Sequence, residues 1–357
     1  MSDQRAGGIS WTSETWNVLR GCSRISNGCT ACYAERLAIR LSGPGKAYDG
    51  LVVQTKAGPR WTGVVRLVPE LLLAPARWTR PRLVFVNAMS DLFHESLFHG
   101  HDGTTPEIDA VVAAMIYARA AGRGHAFQVL TKRAILLRRY FESGTAAMWA
   151  DRLAEVAAVE LDAEDAEERV HNSVLDLLAP ECNSGWPPRN VWWGVSVEDQ
   201  ESAADRIPHL VDARCGWRKW VSYEPALGPV DFRPWTPATV DEAMTRGFDE
   251  AGGAKTFSEA VDDTLQELRR GVQWIVVGGE SGSRRPFDPD WARDVKAAAN
   301  AAGVPVFVKQ FGAEWHRKTT DLGNGKGADP AKWPEDLRVQ EMPDEMVAVA
   351  VAARRSA

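Results

Sequence analysis

The chain has 357 residues, 45% of them hydrophobic and 25% charged, an ordinary globular composition with material for a large core. Its 42 basic and 48 acidic residues leave a net charge of −6, which excludes a globally basic nucleic-acid coat but not a local basic groove. No apolar run approaches the roughly 18 residues of a membrane span, and the N-terminal MSDQRAGGIS has no signal-peptide core. A cytoplasmic protein without a membrane partner is expected.

A recurring unit organises the chain: a short apolar run, a polar cluster at its C-terminal end, then a helical stretch. A first strand is expected within 9–16 and a helix over 33–41. The runs 83–86, 127–130, 191–195, 219–222, 274–277 and 304–308 follow, ending in NAMSD, TKR, SVED, YEP, GGESG and KQFG. Such runs, β-branched or aromatic and without alternation, are parallel strands buried on both faces. Helical patterns occupy 107–121, 134–142, 200–211, 258–270 and 290–302. Pro289 suits the first turn of the last of these, and Gly303 the position just past its end.

About seven strand–helix units predict an α/β fold, a TIM-barrel-like parallel β/α barrel that is complete or partial. A doubly wound open sheet is the alternative. The barrel is expected over 1–312, with insertions near 143–189 and 234–258. Within the first insertion, 146–170 reads as a helix with an acidic tail. Residues 313–357 form a C-terminal extension ending in a helix.

Three of the five cysteines, Cys22, Cys29 and Cys32, fall within eleven residues as C-x6-C-x2-C, whereas Cys182 and Cys215 stand alone. An odd count without a secretion signal argues against a disulfide framework and for a metal or catalytic site. Thiolates suit iron–sulfur clusters, zinc or Cu(I). Zinc wants a fourth ligand, which Cys182, Cys215 or a distant histidine would have to supply. A [4Fe–4S] cluster on three cysteines instead leaves one iron open to an exchangeable ligand. Three metal-free thiols are the plainest alternative. Cys182 and Cys215 are expected to be structural.

The strand ends supply a second constellation, because catalytic groups of a parallel barrel sit there. They carry Asn87, Ser90 and Asp91; Thr131, Lys132 and Arg133; Ser196, Glu198 and Asp199; Ser222, Tyr223 and Glu224; Gly278, Gly279, Glu280 and Ser281; and Lys309 and Gln310. Any one Asp or Ser can be a helix N-cap, but six such endings suit a charged, oxygen-rich ligand. Gly278 and Gly279 let the backbone approach a ligand or make a tight turn, and Arg284 and Arg285 offer phosphate contacts. His94 is expected to be structural, and His99 with His101 lacks a third metal ligand. Trp11, Trp16, Trp61 and Trp78 are more readily core residues than base-stacking platforms.

The segments GCSRISNGCTACYAE, VNAMSDLFHE, LTKR, GVSVEDQ, SYEPALGPVD, VVGGESGSRRP and VFVKQFG follow in this order within a match that covers roughly residues 9–312. Together they resemble the three-Cys-motif phage-type protein family, itself similar to radical SAM enzymes. The resemblance implies a radical-SAM-type barrel, a [4Fe–4S] cluster held by Cys22, Cys29 and Cys32, and S-adenosylmethionine on the open iron. Reductive cleavage would give methionine and a 5′-deoxyadenosyl radical that abstracts hydrogen from a substrate. On this reading Asn87, Ser90, Asp91, Ser196, Glu198, Glu224, Gly278, Gly279 and Glu280 contact the cofactor. Lys132, Arg133 and Lys309 hold anionic parts of the substrate, and an external electron donor is the partner. The phage association points to nucleic acid or a nucleotide as substrate class.

The chain departs from the radical SAM pattern in three places. Its first cysteine spacing is six rather than three, Ala31 replaces the usual aromatic, and GGES follows a late strand rather than the second. Two other readings stay open: a zinc-bearing nucleic-acid-binding adaptor without catalysis, and a barrel hydrolase using the rim carboxylates with a divalent metal.

Overall fold

The computed structural model describes residues 9–101, 103–143, 146–161, 163–178, 190–216, 218–237, 271–282, 285–319 and 325–355. In chain order the N-terminal part forms β1 (Glu14–Trp16), β2 (Leu19–Arg20), α1 (Tyr33–Ala38), β3 (Val52–Thr55), β4 (Gly58–Trp61), β5 (Arg66–Leu67) and α2 (Ala74–Arg77). Next come β6 (Leu83–Val86), α3 (Pro106–Ala120), β7 (Ala126–Thr131), α4 (Ala134–Glu142), α5 (Ala146–Glu160) and α6 (Ala166–Leu178). The rest comprises β8 (Val191–Val197), α7 (Gln200–Asp212), β9 (Lys219–Tyr223), β10 (Trp274–Gly278), α8 (Pro289–Ala301), β11 (Val306–Gln310), α9 (Gly312–Thr319) and α10 (Asp344–Arg355).

The apolar runs become strands because both their faces are covered. Every residue of β6, β8, β9 and β10 is buried. Seven strands form one sheet in the order β1-β6-β7-β8-β9-β10-β11, with parallel register in β1–β6, β6–β7, β9–β10 and β10–β11. The order follows the chain without reversal. A doubly wound sheet reverses at a switch point, so this order, with β1 and β11 as edges, is compatible with a partial β/α barrel.

Several boundaries differ from the sequence expectation for local reasons. The first strand is short because its ladder with β6 ends at Trp16, and β2 leaves the sheet to pair antiparallel with β5. The last strand begins after Pro305, which lacks the N–H a ladder needs. The single helix expected over 146–170 is two, α5 and α6. The acidic run breaks it and places Glu164 and Asp165 before the α6 N-terminus, where the helix dipole favours negative charge. The helix expected over 258–270 and Cys182 lie outside the described residues, as does most of the expected insertion at 234–258. Gly303 takes φ +65 just past α8, as its position predicts. No described helix is long and apolar enough to cross a membrane.

The chain divides into two compact units, one of residues 1–194, 213–216 and 344–357, the other of 195–212 and 217–343. In the first, Phe93, Tyr140, Phe141, Trp149 and Trp193 build an aromatic core. Asp109 is buried among them, accepting from Tyr140 Oη (2.9 Å) and Arg152 Nε (2.8 Å). Helix α10 inserts a fully buried Met346, whose sulfur accepts from Gln128 Nε2 (3.3 Å). In the second unit, cross-strand Trp220 and Trp274 stack at 5.2 Å, and Phe311 stacks on Trp333 at 5.2 Å.

His125 pins the start of β7. Its Nδ1 accepts from Arg82 N (3.1 Å), so the proton sits on Nε2, which donates to the Pro75 carbonyl (2.8 Å). Burial lowers its pKa below the ordinary 6.5, and burial lowers His94 likewise. Each ring stays neutral in the fold while the unfolded chain takes up a proton. Stability is therefore full above about 6.5 and is lost as pH falls below it. Thermal midpoints measured from pH 8 to pH 5 should drop below pH 6.5, and the drop should be shallower in His125→Gln.

Candidate metal centre

The three clustered cysteines lie on one loop between β2 and α1, with a 3-10 turn over Asn27–Cys29. Four features brace it. At its base Gly21 adopts φ +95, and a Cβ there would stand 2.1 Å from the Val64 carbonyl oxygen. Ser90 Oγ donates to Gly21 O (2.6 Å), and Asn87 Oδ1 accepts from Leu19 N (2.9 Å). Asn87 itself sits at φ 60, a conformation Asn tolerates better than most residues. On the far side, Arg24 grips the buried Glu35 carboxylate of α1 with two nitrogens, and Glu35 also accepts from Trp61 N (3.1 Å).

Arg133 is the fourth brace. Its buried guanidinium donates to Asp91 Oδ2 (2.9 Å), to Ser23 Oγ (2.6 Å) and to Glu95, and Nη1 lies 4.0 Å from Cys22 Sγ. Asp91 is saturated: it also accepts from Phe93 N (3.0 Å), Thr131 Oγ1 (2.6 Å) and Lys132 N (3.1 Å). It ties the ends of β6 and β7 to the arginine. His94 completes the group. Its Nδ1 accepts from Ser96 N (3.2 Å), so Nε2 carries the proton toward Ser23 Oγ (2.9 Å). Both ring nitrogens are thus engaged, as expected for a structural histidine.

All three thiols are half-buried. Burial pushes Cys22 up to about 12, with Asp91 adding to the rise and Arg133 opposing it. Burial raises Cys32 as well. Burial also acts to raise Glu95, but the Arg133 hydrogen bond and charge override it and bring Glu95 to about 2. Among the described residues no three His, Cys, Asp or Glu side chains are gathered into a metal cage. Cys215 is buried.

The second unit holds the later strand ends, and there the polar groups are paired with one another. Glu198 meets Arg206 (2.9 Å), both buried, and Ser196 Oγ donates to the Glu224 carbonyl (3.0 Å). Glu224 meets Lys309 (2.9 Å), and Glu280 takes two nitrogens of Arg285, one at 2.7 Å. Asp199 caps α7, accepting from Ser202 N (2.9 Å). The two glycines of GGES make room for the protein itself. A Cβ on Gly278 would meet Glu224 Oε1 at 2.9 Å, and one on Gly279 the Phe311 carbonyl oxygen at 2.5 Å. Arg284 lies outside the described residues.

Trp11 and Trp16 are buried, Trp61 packs on Tyr48, and Trp78 lies under the Arg82 guanidinium (4.9 Å). His99 pairs with Glu107 (2.8 Å). Sequence reasoning missed Ser23, Arg24, Glu35 and Glu95, which brace the cysteine loop. For Arg24 and Glu35 the available signal was a charge inside or directly after the C-x6-C-x2-C segment; Ser23 and Glu95 carried none.

The loop base yields a direct test by urea denaturation. Gly21→Ala should lower the unfolding free energy by about 2 kcal/mol or more, since it adds a clash to the left-handed strain. Gly45→Ala, at φ +74 with open space around it, should cost only about 1 kcal/mol.

No curated protein and no solved structure matches the chain. One family model does match, over residues 6–343, and its description is a protein of unknown function, DUF5131. That span takes in the braced cysteine loop and every strand end described above, and the chain belongs to the DUF5131 family.

Proposed function

We propose that the chain is an iron–sulfur enzyme of radical SAM type, with a [4Fe–4S] cluster on Cys22, Cys29 and Cys32, S-adenosylmethionine as second cofactor and an external electron donor. The observation that carries this reading is the cysteine loop. Three soft donors follow the first parallel strand on a loop braced at both ends, beside a buried guanidinium. Three thiolates suit a cluster with one open iron, whereas zinc would need a fourth ligand, and His94 has both its nitrogens committed. When bound, the cluster supplies an electron for cleaving the sulfonium S–C5′ bond, giving methionine and a 5′-deoxyadenosyl radical.

The chain's own residues do the rest. Arg133 places positive charge against Cys22 and favours its thiolate over the neutral thiol that burial imposes. Asp91 and Glu95 fix the guanidinium from two sides. Asn87 Nδ2 is buried with no hydrogen-bond partner, a donor available to a bound ligand. In the second unit Glu224 and Lys309 are partly exposed, at 13% and 23%, so this pair can open to a charged ligand. The Glu198–Arg206 pair, at 2% and 6%, is a brace.

The test is chemical. Anaerobically reconstituted protein given S-adenosylmethionine and dithionite should release 5′-deoxyadenosine and methionine in equal amounts. Cys29→Ala should abolish the release. Iron-loaded wild type that leaves S-adenosylmethionine intact would contradict the proposal.

A further inference from the structure

The charge of the chain is unevenly spread. Residues 17–82 carry eleven Lys and Arg against three Asp and Glu, an excess of eight positive charges in a chain whose net is −6. One of the three acids, Glu35, is buried and already holds Arg24. Part of the segment packs beside the cysteine loop as one module: Ala34, Ala38, Tyr48, Leu51 and Val52, joined by Met89, form its core, with Cys32 and Trp61 packed against it, while Arg82 at the segment's end is held by Glu14.

Two of these cations are set against each other. Arg20 and Arg66 are directly opposite on the antiparallel β2–β5 pair, one residue from Gly21 and two from Cys22. Directly opposed like charges on an antiparallel pair are destabilising. Neither has a carboxylate within ion-pair distance among the described residues. Arg20 lies over the Tyr48 ring (5.7 Å), and Arg66 donates to the Asp49 carbonyl (3.1 Å). Arg40, Lys46 and Lys56 are exposed on the same module. The same module exposes apolar side chains: Tyr33, Leu37 and Leu41 recur at four-residue spacing along α1 and the 3-10 turn after it, each more than 40% exposed.

We infer that this module is a nucleic-acid-binding face, with the Arg20–Arg66 pair on backbone phosphates and the exposed Tyr33 and leucines against bases. A polyanion relieves the repulsion between the two arginines and matches cations spread over the whole module. The remainder of the chain, with a net charge of −14 (−6 less +8), offers a polyanion no comparable attraction. Binding stands independently of the cluster. Only the role of the bound strand as substrate rests on the proposed function.

The experiment measures fluorescence anisotropy of labelled 20-nucleotide single-stranded and duplex DNA with the purified full chain, from 50 to 300 mM salt. Wild type should bind at least one of them with a steep salt dependence. Arg20→Gln/Arg66→Gln should weaken that binding about tenfold and flatten the log–log salt slope by roughly 1.5, two phosphate contacts' worth. Its thermal midpoint should stay level or rise, because the substitutions remove a repulsion, so weaker binding is not misfolding. Arg354→Gln/Arg355→Gln on α10 changes net charge equally and should leave binding unchanged. Wild type that binds neither DNA at 50 mM salt would overturn the inference, as would equal weakening in the α10 variant. Iron content, measured separately, reports on the cluster, so the two ideas fail independently.

Discussion

A buried guanidinium organises the first unit. Arg133 lies between the end of β7 and the cysteine loop, and its donors reach Asp91, Glu95 and Ser23 while one nitrogen faces Cys22. A charge this deep is tolerable only because its donors are satisfied by carboxylates and a hydroxyl. The two carboxylates in turn fix strand ends and loop relative to one another. The cysteine loop, the β6 end and the β7 end are thus one electrostatic assembly rather than three neighbouring features.

That assembly redistributes the roles of the strand-end residues. Asn87, Ser90 and Asp91 spend their acceptors or hydroxyls on the loop and on Arg133, which makes them positioning residues first. Only the Asn87 amide nitrogen is left over. In the second unit the acids and bases of the strand ends neutralise each other, and the glycines of GGES accommodate Glu224 and Phe311. Among these pairs Glu224–Lys309 is partly exposed, whereas Glu198–Arg206 is buried.

The sheet was legible in the sequence because buried parallel strands leave an uninterrupted apolar run. β6 and α4 were placed to the residue, and β8, β9 and β10 to within two. What periodicity missed was local: the end of β1 at Trp16, the acidic break between α5 and α6, and the start of β11 after Pro305. The cysteines were legible from spacing alone. Their braces were not, because Arg133 and Asp91 are 42 residues apart, Ser23 and Arg133 110 apart, and Ser23 and Glu95 72 apart. Nothing in a linear sequence marks which distant charges will meet. The same limit applies to Arg20 and Arg66, whose opposition exists only through the β2–β5 register.

The central claim is that Cys22, Cys29 and Cys32 hold an iron–sulfur cluster, and metal analysis tests it most directly. Protein purified without oxygen should contain about four irons and four sulfides per chain and absorb broadly near 400 nm, and Cys22→Ala should lose all three signals. Stoichiometric zinc with no iron or sulfide would contradict the account and leave the loop a structural zinc site.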